Sequence, residues 1–214
     1  MPSRTAVSMG LMQHSDDLLH LLSRPRAHLV NRAGISPLQH GWQCGRLAAQ
    51  AHSTPELQLA CWLHDIGHLA ALAAQPGLEF TPADPHELVA ARMLEPLFGP
   101  LVSEPVALHV AAKRFRLATN PRYLQILSFE SRRSLQRQGG PMSAREASDF
   151  MAHPMSGDAL RLRAWDECAR LAEWHPASVE SALSELAALI DEVRAQAHCP
   201  PRRALANSID GKAI

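Results

Sequence analysis

Leu57-Gln58-Leu59-Ala60-Cys61-Trp62-Leu63-His64-Asp65-Ile66-Gly67-His68-Leu69-Ala70-Ala71-Leu72-Ala73 is the stretch whose reading decides the fold. Thr54-Pro55-Glu56 opens it as a helix cap with proline in the first turn, and the apolar run behind it reads as one helix buried on most faces. His64-Asp65 is the exception, a polar pair inside that run. A buried carboxylate without compensation costs several kcal/mol, so such a group is paired or holds a metal. Neighbouring helical residues point about 100° apart, so His64 and Asp65 share one ligand only if both lean toward the same pocket. A His-Asp dipeptide alone is more often a cap or a surface pair, and its partners decide the matter.

Those partners lie on separate expected helices. Ser36-Pro37 opens one carrying His40, Asp84-Pro85 one with His86 in its first turn, and Ser103-Glu104-Pro105 one bearing His109 and, a turn later, Lys113. Asp158–Ala172 reads as a helix with Asp166 near its middle. Helical spacing also covers His14 to Arg32, broken at Pro25, and Ser178–Ala197, while Ser143 and Glu146 form a capping-box pattern. Gln75–Pro82 and the polar stretch Asn120–Pro141 read as loops, the latter a candidate ligand loop. The expectation is an all-α helical bundle with almost no strand. His40, His64, Asp65 and Asp166 fill the ligand set of one metal ion. With Asp65 as a bridge, His86 and His109 supply a second ion roughly 3.5–4 Å away. Imidazole with carboxylate suits iron, zinc or manganese alike. His68, one turn after His64, faces the same cavity, and Lys113 offers a cation there. The remaining histidines read as ordinary solvated residues.

The whole chain sets wider limits. Its 214 residues suit one domain, taken as residues 1–198 with a polar tail over 199–214. Lys plus Arg and Asp plus Glu both total 21, so the charge balance points to a small ligand and not to nucleic acid or an anionic membrane. Ala6–Met12 is too interrupted for a signal peptide and no apolar run would cross a bilayer, so the expected location is cytoplasmic. Cys44, Cys61, Cys168 and Cys199 are widely spaced and read as reduced structural thiols.

Several segments together resemble the PhnZ-type HD-domain oxygenases of organophosphonate catabolism, which are relatives of myo-inositol oxygenase in chemistry and core fold. They are Leu38-Gln39-His40-x-x-Gln43-Cys44, Leu63-His64-Asp65-Ile66-Gly67-His68-Leu69, and His86-Glu87 with Val89. Glu104-Pro105-Val106, Leu108 to Arg114, Ser134-Leu135-x-x-Gln138-Gly139-Gly140-Pro141-Met142-Ser143 and Arg161-Leu162-Arg163-x-Trp165-Asp166-Glu167 complete the match, from about His40 to Arg170. The resemblance implies an HD-domain bundle and a mixed-valent Fe(II)/Fe(III) pair that activates dioxygen as co-substrate. One iron would rest on His40, His64, Asp65 and Asp166, the other on His86, His109 and the shared Asp65. It implies cleavage of the carbon–phosphorus bond of a 1-hydroxyphosphonate to a carboxylic acid and phosphate. His68, Lys113 and Ser131 would grip the phosphonate with Gln138 near the same end, though Ser128 and Ser134 stand close enough to Ser131 to share its register.

One departure stands out. Amine-handling members carry a Tyr-x-x-Glu element before the first ligand, in which the tyrosine guards an iron and the glutamate senses an ammonium. The matching positions here are Val30 and Ala33, the only tyrosine is Tyr123, and Asp16 or Asp17 stays open as a substitute acid. Two other readings use the same residues: a metal-dependent phosphohydrolase of nucleotides or phosphomonoesters, with Lys113 steadying the phosphate, and a regulatory metal-binding protein without turnover.

Overall fold

In the computed structural model, residues 14–73 and 85–198 are described, and they are all-α. The expected loop Gln75–Pro82, Asp84, Cys199, the Ala6–Met12 run and the tail over 199–214 lie outside the described residues. Helix α1 (Ser15–Ser23) stops before Pro25, and a 3-10 turn (Pro25–His28) carries the chain to α2 (Pro37–Gln50), whose N-cap Ser36 accepts from the Gln39 amide. Thr54 caps α3 (Pro55–Leu63) in the same way.

The single helix expected over Leu57–Ala73 is two. Helix α3 ends at Leu63, α4 (Ile66–Ala73) begins two residues later, and His64 and Asp65 form the joint. His64 Nδ1 bonds the carbonyl of Cys61 at 2.8 Å, and the amide of His68 donates to the Asp65 carbonyl at 3.0 Å, a tighter pitch than the α-helical one. Gly67 lets α4 lie directly on α5 (His86–Phe98), because a Cβ there would overlap the carbonyl oxygen of His86. Tertiary packing has overridden an unbroken helical pattern.

A second difference is at the start of α6 (Pro100–Thr119), which begins before the expected Ser103. Gly99, at φ +71°, turns the chain from α5 straight into α6, with Pro100 in the first turn. Pro105 lies inside the helix, and Leu101, whose carbonyl loses that partner, is half exposed. The stretch expected to be irregular holds two short helices, α7 (Tyr123–Ile126) and α8 (Phe129–Leu135), the latter capped by Ser128. Gly139 and Gly140, both at positive φ, make the break before Ser143 and Glu146 close a true capping box on α9 (Ala144–Ala152). Helix α10 (Ser156–Cys168) ends sooner than Ala172, which puts Asp166 in its last turn, and α11 (Val179–His198) follows.

Leu18, Leu57, Leu59, Leu63, Leu94, Leu162 and Leu186 are buried in one continuous core. Each such side chain removed from water contributes about 1.5–3 kcal/mol. In α10, Leu162 faces this core, and Asp166 follows one turn later. The core thereby holds α2, α3, α5, α6 and α10 around the joint at His64-Asp65. No helix among the described residues is long and apolar enough to cross a membrane. Cys44 and Cys61 are buried free thiols, and Cys168 is exposed and free.

Candidate metal centre

Asp65 stands between two pairs of histidines. Its Oδ2 lies 3.9 Å from His40 Nε2 and 3.6 Å from His64 Nε2, while its Oδ1 lies 3.4 Å from His86 Nε2 and 3.8 Å from His109 Nε2. Asp166 closes the first half, with Oδ1 3.2 Å from His40 Nε2 and 3.8 Å from His64 Nε2. In the second half the Nε2 atoms of His86 and His109 are 3.2 Å apart. Two donors at right angles on one ion, each about 2.1 Å from it, stand roughly 3 Å apart, so these spacings fit metal coordination. His40, His64 and Asp65 form one group able to hold an ion, and Asp65, His68 and His86 another.

The outer nitrogens of His40, His64 and His109 are hydrogen-bonded to backbone carbonyls, and that of His86 lies near a carboxylate. His40 Nδ1 meets the Ala169 carbonyl at 2.7 Å, His64 Nδ1 that of Cys61, His109 Nδ1 that of Val106 at 2.7 Å, and His86 Nδ1 lies 3.2 Å from Glu87 Oε2. A ring nitrogen facing a carbonyl must be the N–H donor, which leaves Nε2 as a lone pair turned inward. His64 Nε2 is fully buried and has no hydrogen-bond partner, an orphan that a cation would satisfy.

Charge in the cluster agrees with that. Burial pushes His64 down, yet the carboxylates of Asp65 and Asp166 and the Cys44 thiol outweigh it and hold its pKa at about 9. Burial would raise Asp65 and Asp166, but His64 beside the first and Arg163 beside the second keep both well below the usual carboxylate range. Asp166 is further met by two guanidinium groups, Arg163 on Oδ2 and Arg170 on Oδ1.

The expected anion-binding residues gather on α6 and α8. Lys113, only 2% exposed, donates to Ser134 Oγ at 3.1 Å and to Gln138 Oε1. Burial, followed by the charge of Arg163, lowers its pKa to about 8. The three serines divide their work: Ser128 caps α8, Ser134 accepts from Lys113, and Ser131 Oγ accepts from Arg163 Nη2 at 3.3 Å. His68 is exposed and stacks on His86, ring centroids 3.9 Å apart. Asp17 and Asp16 are exposed on α1, and Asp17 Oδ2 accepts from the His14 amide, so it serves its own helix cap.

Sequence reading gave no role to two structural parts. Arg163 is buried and binds Asp166 Oδ2 at 2.6 Å, and i, i+3 spacing on α10 was the available signal. Gln39 and Gln43 are buried on α2 and reach the chain beyond α10, where Gln39 Nε2 donates to Ala172 O at 3.0 Å and Gln43 Oε1 accepts from the Leu171 amide at 3.1 Å. That clamp fixes the segment whose Ala169 carbonyl orients His40. Two glutamines flanking the expected ligand His40 on a largely buried helix were its sequence signal.

No family model matches the chain. A hydroxymethylphosphonate dioxygenase of Gimesia maris is 39% identical over 138 residues, which span 64% of this chain and 69% of that protein. A 1-hydroxy-2-(trimethylamino)ethyl phosphonate dioxygenase (glycine-betaine-forming) of Leisingera caerulea is 33% identical over 147 residues, 66% of this chain and 75% of that protein. An uncharacterized protein of Acanthamoeba polyphaga mimivirus is 31% identical over 136 residues, 63% of this chain and 62% of its own length.

Proposed function

The chain belongs to the PhnZ-type family of phosphonate dioxygenases, and on that premise we propose that it is a di-iron oxygenase that cleaves the carbon–phosphorus bond of a small 1-hydroxyphosphonate. For hydroxymethylphosphonate the balance is one dioxygen consumed, with formate, phosphate and one proton released. The observation that carries the reading is Asp65 offering one oxygen to each histidine pair. The phosphohydrolase reading is not favoured, because both relatives with an assigned activity are dioxygenases.

His40, His64, Asp65 and Asp166 would hold one iron, and His86, His109 and Asp65 the other. The mixed-valent pair supplies dioxygen activation and Lewis acidity when bound. The chain's own residues supply the grip on the substrate. Lys113, in ammonium form, donates to a phosphonate oxygen while Ser134 and Gln138 aim it. Ser131 and Gln138 would bind the same end, and His68, stacked on the ring of His86, would approach from the side of the second ion. Aerobic incubation with hydroxymethylphosphonate tests the reading: oxygen uptake and phosphate release should rise together in a one-to-one ratio, and phosphate without oxygen uptake would point to hydrolysis.

The split of ligands gives the first prediction. Anaerobically reconstituted protein is expected to hold two irons, and His86→Ala or His109→Ala one, retained by the His40 half. Metal analysis after desalting decides this, and a single iron in the unmutated, fully loaded chain would refute the pair.

Lys113 gives the second. Lys113→Ala should weaken phosphonate binding about 10- to 100-fold, the worth of one charge-assisted hydrogen bond of about 1.5–3 kcal/mol, at near-normal iron content. Because burial holds the ammonium at about 8, it is charged below that pH and loses its proton above it. Affinity should therefore be present at neutral pH and fall as pH rises through about 8. A KM profile from pH 7 to 9.5 measures it, and the variant should lack that limb.

Substrate choice is the third. Val30 is 65% exposed and Ala33 lies in the same exposed turn, so neither offers an anion or an aromatic face to an ammonium. Between them Arg32 rests its guanidinium over the Phe129 ring at 5.7 Å. Hydroxymethylphosphonate should exceed 2-amino-1-hydroxyethylphosphonate by at least about tenfold in kcat/KM, roughly 1.4 kcal/mol. Competition between the two under one oxygen pressure is the check, and equal use of the amine would reveal another acid at that end.

A further inference from the structure

Tyr123, the only tyrosine of the sequence, is 3% exposed, and its ring packs with Leu117, Leu127 and Leu135. Its hydroxyl turns the other way. It donates to Glu167 Oε1 at 3.2 Å and accepts from Arg163 Nε at 3.0 Å. Arg163 then gives Nη1 to Asp166 Oδ2, and Nη2 to Ser131 Oγ and to Glu167. A guanidinium is planar and rigid, so fixing Nε and Nη2 fixes the direction of Nη1. With Oδ2 so held, and with Oδ1 also accepting from Arg170 Nη2 at 3.0 Å, Asp166 presents Oδ1 to the His40 and His64 nitrogens.

Arg163, Asp166 and Glu167 all lie on α10 and move as one piece. The contacts that anchor the guanidinium from outside that helix are Tyr123 on α7 and Ser131 on α8. We propose that Tyr123 is a positioning residue, acting through Arg163 and Asp166 on the ion held by His40 and His64 and not on the ion held by His86 and His109. The two halves share Asp65, but Asp166 faces only the first.

The test is Tyr123→Phe, which keeps the packed ring and removes the hydroxyl. The proposal rests on the two-ion reading above, so Fe(II) affinity is measured by chelator competition in two backgrounds, His86→Ala and His40→Ala. In the first, Tyr123→Phe should weaken binding about tenfold, the lower end of what losing a ligand's own partner costs, because Tyr123 acts one contact further out. In the second it should change nothing, and the circular dichroism of both proteins should match that of their parents. Equal weakening in both backgrounds would make Tyr123 a general structural residue, and no weakening in either would remove it from the site; both overturn the proposal. If His86→Ala retains no iron, the two-ion reading fails by itself. Tyr123→Phe in the otherwise unaltered chain then decides: tenfold weaker iron binding sustains the positioning role, and unchanged binding ends it.

Discussion

Asp65→Asn is expected to lower turnover by at least about a thousandfold, some 4 kcal/mol of barrier, and to leave the protein unable to hold two irons together. The residue sits at the joint between α3 and α4 with one oxygen toward each histidine pair. Two cations roughly 3.5–4 Å apart repel strongly, and a shared carboxylate offsets that repulsion where a neutral amide does not. The amide also replaces one acceptor oxygen with an NH2 group that would face a pair of ligating nitrogens. Iron analysis should give one ion or none per chain, and the spectroscopic signature of a coupled pair should vanish. Two retained irons would show that Asp65 is no bridge.

Gly67→Ala should cost almost as much function through packing alone. The added Cβ would overlap the carbonyl oxygen of His86 and lie 3.0 Å from the Ala90 amide, both of them backbone atoms that cannot turn aside. Helix α5 must move away from α4, and His86 stands in its first turn. Such overpacking costs about 1–3 kcal/mol, which in a chain of this size lowers Tm by roughly 2–12 °C. A shift of about 1 Å in a ligand should reduce kcat/KM about a hundredfold. Gly157→Ala is the control, since nothing lies within 4 Å of a Cβ there and replacing a helical glycine favours the helix. A Gly67→Ala protein with unchanged Tm and full iron content would contradict the close approach of α4 and α5.

Much of this candidate site could be proposed from the sequence because its chemistry is local. A histidine and an aspartate inside Leu57–Ala73 are an anomaly at any level of folding, and His40, His86 and His109 each stand on a helix whose start is marked by a cap or a proline, while Asp166 stands on a further helix. Ser36, Thr54 and Ser143 cap as their sequence context demands, since capping is a contact between residues three apart. The grouping of Lys113 with Gln138 was likewise an expectation, and the two do hydrogen-bond.

What the chain's order alone determined was thus the helical content, the identity of the polar residues in the core and their family likeness. The tertiary structure decided the rest. It broke the helix at His64-Asp65 and laid α4 directly on α5 through Gly67, an approach a Cβ there would block. It set Asp65 so that its two oxygens face different histidine pairs, and it gave Ser128, Ser131 and Ser134 three separate partners. It also assembled Tyr123, Arg163 and Ser131 around Asp166 from three helices. Periodicity reports which face of a helix is buried, but only the packing of distant segments fixes which buried polar atoms meet, because each must find a partner among residues far away in the chain.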